Sequence, residues 1–248
     1  MGSIYQSLKE EAFEANIQIP KRGLAIYTWG NVSAFDKDKG VFAIKPSGVP
    51  YDTMTVDDMV IVDLDMNKVE GKLNPSSDTP THAILYKYFE NIGGITHTHS
   101  PHAVAWAQAG KGIPLLGTTH ADHSANDIPC TPLLTKEAVE SAYEKETGVL
   151  IADTFLHPEK VGAVDYWGNP LKPLVPSENP MVLVAGHGPF TWGSNADKSV
   201  YNAAVLEEVA RMAWMTMQIN PNWSRLADYV IDKHYQRKHG KNAYYGQK

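Results

Sequence analysis

His97 and His99 stand one residue apart in Gly94-Ile95-Thr96-His97-Thr98-His99-Ser100. The run is rich in β-formers, and a strand of period two projects both imidazoles from one face. Neutral imidazole is a favoured ligand for zinc, and two from one strand need a third protein ligand brought in by the fold. The best candidate is His187, in Met181-Val182-Leu183-Val184-Ala185-Gly186-His187-Gly188-Pro189, a continuous apolar run that reads as a buried strand. Three histidines with an open fourth position make a catalytic rather than a structural metal site. An isolated His-x-His is also found as two surface or hydrogen-bonded histidines, so the rest of the chain has to decide.

Three further stretches carry groups suited to an anionic or hydroxylated ligand. In Trp29-Gly30-Asn31-Val32-Ser33, Gly30 lets backbone approach a ligand and Asn31 offers an amide; a plain turn is the alternative. Val41-Phe42-Ala43-Ile44-Lys45-Pro46-Ser47-Gly48 reads as a strand that ends in a lysine, a hydroxyl and a glycine, and an ammonium, a hydroxyl and freed backbone amides are the group types that coordinate a phosphoryl oxygen. Pro75-Ser76-Ser77-Asp78-Thr79-Pro80 reads as a helix start, whose unpaired N–H groups and macrodipole favour an anion. Capping alone explains Ser76, Ser77 and Asp78 equally well. His120, Asp122 and His123 form a polar cluster of site-like residue types, although any polar loop can hold them.

The elements that must position these groups alternate between strand and helix patterns. Residues 4–18 predict a covering helix ending before Pro20, 23–28 a strand, 58–64 a strand leading through a turn at 65–68 toward Gly71, and 80–89 a helix burying Ile84, Leu85, Tyr88 and Phe89. Residues 101–110 predict a short helix and 115–123 a strand entering the polar cluster. Thr135 predicts the cap of a helix through Glu146, with Ala138, Val139, Ala142 and Tyr143 inward and Gly148 closing it. Residues 157–180, with five prolines, read as a long irregular connection. Ser194 and Asp197 predict the start of a helix whose apolar residues cover more than one face, so that it is buried or packs on a neighbouring subunit. A last amphipathic helix spans 224–238, and a short aromatic tail follows.

The 248 residues, 43% hydrophobic and 20% charged, suffice for one large domain spanning 1–248, with no linker to divide it. A formal charge of −6, from 22 basic and 28 acidic residues, offers no broad cationic surface to nucleic acid or anionic lipid. No apolar run reaches the roughly 18 residues of a membrane span. The single cysteine, Cys130, cannot form an internal disulfide, and with no signal-type N-terminus the chain reads as a soluble, cytoplasmic protein.

Taken together, the segments at 29–33, 45–48, 75–82, 97–100 and 117–122 resemble the L-ribulose-5-phosphate 4-epimerase family of the class II aldolase and epimerase superfamily. So do Asp232-Lys233-His234-Tyr235, Arg237-Lys238-His239-Gly240 and Tyr244-Tyr245-Gly246-Gln247, and the likeness runs nearly end to end. It implies an α/β fold of three layers, α/β/α, with a largely antiparallel central sheet, the adducin-head-like class II aldolase fold, assembled as a homotetramer with sites near subunit interfaces. The zinc ligands it implies are His97, His99 and His187 with Asp78 associated; Mn²⁺ or Co²⁺ is the alternative ion. Substrate and phosphate contacts fall on Gly30, Asn31, Ser47, Gly48, Ser76 and Ser77, with Lys45 beside them. Asp122 and Tyr245 match the family's acid/base pair, Tyr245 reaching a neighbouring subunit's site, and Glu144, His234 and Arg237 match positions near it. The implied reaction interconverts L-ribulose 5-phosphate and D-xylulose 5-phosphate by retro-aldol cleavage of the C3–C4 bond and re-addition. Aspartate at position 78 and the terminal Tyr-Tyr-Gly-Gln favour the epimerases over aldolases of ketose 1-phosphates such as L-fuculose 1-phosphate. The intact histidine set argues against a non-catalytic interaction module of the adducin-head type.

Overall fold

The structure, a computed structural model, describes residues 3–245. Among these, seven strands form one sheet: β1 (Asn31–Asp36), β2 (Val41–Ile44), β3 (Val60–Asp63), β4 (Lys68–Glu70), β5 (Gly94–His97), β6 (Met181–Val184) and β7 (Gly188–Gly193). Their spatial order is β4-β3-β2-β1-β5-β7-β6, and every neighbouring pair is antiparallel. The helices are α1 (Gln6–Lys21), α2 (Thr79–Tyr88), α3 (Pro101–Gln108), α4 (Thr118–Ala121), α5 (Lys136–Leu156), α6 (Pro158–Val161), α7 (Ala196–Ile219) and α8 (Asp228–His239).

Alternation along the strands divides the core into two faces. Phe42, Ile44, Val60, Val62, Ile95, Phe190 and Trp192 pack with Leu85 and Phe89 near α2 and Ile151 and Phe155 of α5. Val32, Ala34, Val41, Ala43 and Ile61 point the other way, onto Ala12, Ala15 and Ile19 of α1 and Val200 and Ala203 of α7. Each fully buried large apolar side chain contributes about 1.5–3 kcal/mol relative to exposure, so both faces hold the sheet. The result is the three-layer α/β/α architecture with an antiparallel centre. No described helix is long and apolar enough to cross a membrane.

Several local expectations are corrected. Residues 23–28 are irregular rather than a strand: Gly23 and Tyr27 adopt positive φ of 70° and 54°, and Ile26 and Tyr27 are exposed. The strand begins at Asn31, inside the stretch that read as a turn. Helix α1 continues past Pro20 by one residue, with the proline inside its last turn; Arg22 N–H still donates to Gln18 O. Instead of a strand over 115–123, Thr118–Ala121 makes one helical turn, closed by Ala121 N–H on Gly117 O at 3.1 Å. Thr135 does cap α5, but the helix runs on to Leu156. Gly148 lies within it because a Cβ there would come 2.8 Å from Ile84 Cβ, so glycine allows close helix packing rather than ending the helix. Val139 is exposed, and Ala142 leaves helical geometry. On α2 the inward aromatic is Tyr86, and Tyr88 is exposed. The apolar run at 181–189 is a hairpin, with His187 at the end of its turn. Helix α7 is capped by Asn195, whose side chain accepts from Lys198 N–H, rather than by Ser194. The 157–180 connection holds α6 and is otherwise largely irregular.

Gly94, on the histidine strand, lies under the start of α7: an added Cβ would fall 2.4 Å from Ala196 Cα. Backbone cannot yield cheaply there, so Gly94→Ala should lower unfolding stability by about 3 kcal/mol, the upper part of the overpacking range. Urea denaturation checks this; an unchanged midpoint would show that β5 and α7 are not so closely packed.

Candidate metal and sugar-phosphate site

Strand β5 delivers His97 at its last residue, and His99 follows just beyond the strand end. The β6–β7 turn brings His187 to them. One ligand atom from each imidazole falls within 4.8 Å of the others. His97 Nε2 and His99 Nε2 are 3.1 Å apart, near the roughly 3.3 Å that two nitrogens about 2.05 Å from a tetrahedral zinc would span. With its Nδ1–H donating to Pro189 O at 2.9 Å, His97 presents the Nε2 lone pair to that point. Its ring stacks on Phe190, centroids 4.2 Å apart. His97 is buried, His187 half-buried and His99 exposed, so the trio runs from floor to mouth of the cavity. Burial lowers the pKa of all three, with Asp78 opposing. They are therefore neutral at pH 7, the form that binds a metal.

The cavity, about 580 Å³, is lined by the histidines together with Gly30, Asn31, Lys45, Ser47, Gly48, Ser76, Ser77 and Asp78. Asp78 precedes α2 but makes no capping bond; its carboxylate instead accepts from Asn31 Nδ2 at 2.7 Å. This decides against capping as its role. Burial pushes its pKa up, and the nearby imidazoles and Asn31 outweigh that, holding it below the usual aspartate value. Asp78 lies outside the group of converging donor atoms that the three histidines form. Asn31 Oδ1 is buried and has no partner among the described residues, leaving an acceptor for a ligand hydroxyl. The loops at 45–48 and 74–77 are knit by Ser47 N–H to Asn74 O and Ser76 N–H to Lys45 O. Ser47, Gly48 and Ser77 are exposed on them.

Lys45 lines the same cavity, beside Ser47 and Gly48. It is only 2% exposed, and its ammonium donates to Val49 O at 2.8 Å, with Thr28 O and Pro46 O at 3.4 Å. Burial brings its pKa down to about 8. These contacts with Thr28 O and Val49 O join two of the cavity walls. Tyr51, which the sequence reading missed, braces the same junction: its hydroxyl reaches Trp29 O and Gly30 O at 2.8 and 2.9 Å, and its ring lies under Lys45. Gly30 itself, with φ 73°, approaches His97 O so closely that a Cβ would stand 2.7 Å away. Tyr143 and Glu144 also line the cavity. Of these two, the family likeness points only to Glu144.

Asp122 and Tyr245 line no part of that cavity. They sit together elsewhere. Asp122 is bound by Arg237 Nη2 at 2.7 Å and His234 Nδ1 at 3.0 Å, with Lys238 at 3.5 Å. Burial raises its pKa and these partners more than offset that, keeping it ionised. The Tyr245 ring lies 5.1 Å from the Arg237 guanidinium carbon and 4.4 Å from Lys238 Nζ. Gly246 and Gln247 of the terminal motif lie outside the described residues.

Residues 10–214 match the family described as Class II Aldolase and Adducin N-terminal domain, and the chain belongs to this family. Over 243 residues it is 52% identical to the L-ribulose-5-phosphate 4-epimerase UlaF of Salmonella paratyphi A (strain ATCC 9150 / SARB42), covering 98% of this chain and 100% of that one; the UlaF of Salmonella typhi matches equally. Among solved structures, an L-fuculose 1-phosphate aldolase superposes with a TM-score of 0.71 at 24% identity, covering 96% of this chain and 97% of that one. The L-fuculose-1-phosphate aldolase of Thermus thermophilus gives 0.61 at 20% identity, covering 88% and 98%. These two likenesses establish the fold.

Two buried histidines outside the converging trio, His82 and His120, are held down to about 3 by burial, against an ordinary 6.5. Between those values the unfolded chain takes up protons that the folded one refuses. Their contribution to stability is therefore complete above pH 6.5 and is lost as pH falls toward 3, by up to about 1.4 kcal/mol per pH unit for each. Urea midpoints of the metal-free protein should fall between pH 7 and pH 5; a flat profile would mean that these imidazoles protonate freely in the fold.

Proposed function

We propose that this protein is an L-ribulose-5-phosphate 4-epimerase, a single-domain, metal-dependent isomerase. The observation that carries the reading is the convergence of His97, His99 and His187 in a cavity whose other wall presents Ser47, Gly48, Ser76 and Ser77. The full-length likeness to the Salmonella epimerases names the substrate. Three neutral imidazoles with Asp78 beside them suit a borderline divalent ion, zinc first and Mn²⁺ or Co²⁺ next. Bound there, the ion supplies Lewis-acid polarisation of the substrate carbonyl.

The protein's own groups account for the remaining steps. The serine loops hold the phosphate, and Asn31 Oδ1 accepts from a sugar hydroxyl. The hydrogen on C4 is not acidic, so inversion proceeds by breaking a carbon bond. A base takes the C4 hydroxyl proton, C4–O becomes a carbonyl, and the C3–C4 electron pair stays with the three-carbon fragment. Glycolaldehyde phosphate, kept by its phosphate, rotates and is attacked on its other face; an acid then returns a proton to the new alkoxide. Asp122, ionised, and Tyr245 serve as this pair. They lie together on a surface apart from the histidine cavity, which supports their acting on a neighbouring subunit's site. Exposed Met212, Trp214, Met215 and Ile219 on α7 support self-association, and the homotetramer is the assembly that the family likeness implies. A buried, unpaired Cys130 suits the cytoplasm.

Metal-loaded protein given L-ribulose 5-phosphate should form D-xylulose 5-phosphate, and a chelator should abolish turnover. Asp122→Asn and Tyr245→Phe should each slow it by about 10²–10⁴-fold with metal content unchanged. Cleavage of L-fuculose 1-phosphate alone, or no turnover of either sugar by the metal-loaded protein, would overturn the assignment.

A further inference from the structure

Helix α5 is broken at Ala142, where φ is −156° and ψ 70°. The next two residues, Tyr143 and Glu144, enter the wall of the histidine cavity. The break is held from both sides. Thr81 Oγ1 of α2 donates to Glu144 O at 2.6 Å, and Thr147 Oγ1 donates to Tyr143 O at 2.8 Å. Gly148, one turn on, allows the close contact with Ile84 and Thr81 that brings this end of α5 against the site. The consequence is that the Tyr143 hydroxyl lies 3.4 Å from His187 Nδ1, with the two rings 6.1 Å apart.

A metal-ligating imidazole works best when its other N–H is held by an acceptor, which fixes the tautomer and the ring orientation. For His97 that acceptor is Pro189 O. For His187 the side-chain partner is Tyr143. We infer that Tyr143 is a positioning residue of the metal site: its hydroxyl oxygen accepts Nδ1–H of His187, which leaves Nε2 as the ligand atom. The phenol keeps its own O–H and, from the cavity wall, presents it to the bound sugar. This inference rests on the metal reading of the three histidines, and it gives the break in α5 a purpose that helix packing alone does not.

Tyr143→Phe retains the ring and removes the hydroxyl. In competition against a zinc chelator, without any sugar present, the variant should bind Zn²⁺ about tenfold more weakly than the unaltered protein. Its metal-free thermal midpoint should stay unchanged, and the rise in midpoint on adding zinc should shrink. A residue needed only for packing would behave oppositely, losing stability equally with and without zinc at unaltered affinity; that result, or full affinity with full stability, overturns the inference. Failure of the unaltered protein to bind zinc would instead sink the metal reading on which it stands.

Discussion

Asn31, His97 and Phe190 face one another across β1, β5 and β7, and the site depends on that register. Slipping any of these strands by one residue would turn its side chains to the opposite face of the sheet. The register is enforced by crowding. Gly30 presses on His97 O, Gly188 on Thr98 O, and Gly94 and Gly93 on the backbone at the start of α7. With backbone so tightly set, His97 can rest on Phe190 and fix its proton on Pro189, while Asn31 meets Asp78 from the other side.

Around this rigid floor the walls come from separated parts of the chain: 28–31, 45–48, 76–78, 143–144 and 187. The first four are tied down by hydrogen bonds. Lys45 and Tyr51 join the first two walls, backbone pairing joins the second and third, and Thr81 and Thr147 set the fourth. Such supporting bonds matter because a metal and sugar site tolerates errors of only about half an ångström. Lys45 illustrates the point: it lines the cavity, and its ammonium is held by backbone carbonyls of the adjoining loops.

The sequence made the histidine trio legible because His-x-His in a β-rich run and a histidine ending an apolar run are local signals, and the family likeness linked them across ninety residues or so of chain. Helices and strands with strong periodicity were legible for the same reason. Positions whose meaning comes from three-dimensional contact were not. Gly148 looks like a helix stop until Ile84 is seen against it. Thr118–Ala121 has strand-like residue types, and the turn after Gly117 makes it helical. Tyr51 and Tyr143 carry no motif, since an aromatic in a loop or on a helix is ordinarily packing. Asp122 and Tyr245 were readable only through the family likeness, and their distance from the cavity needed the fold to reveal it.

The division of the site between subunits is the claim on which the mechanism turns. Two inactive variants test it: His97→Asn, which spoils the histidine trio, and Asp122→Asn, which leaves the trio intact. Co-expressed so that mixed oligomers form, they should recover epimerase activity that neither shows alone, because some sites then combine an intact trio with an intact Asp122 from another chain. If mixed oligomers are isolated and remain inactive, Asp122 does not serve a neighbour's site and the two-subunit account is wrong.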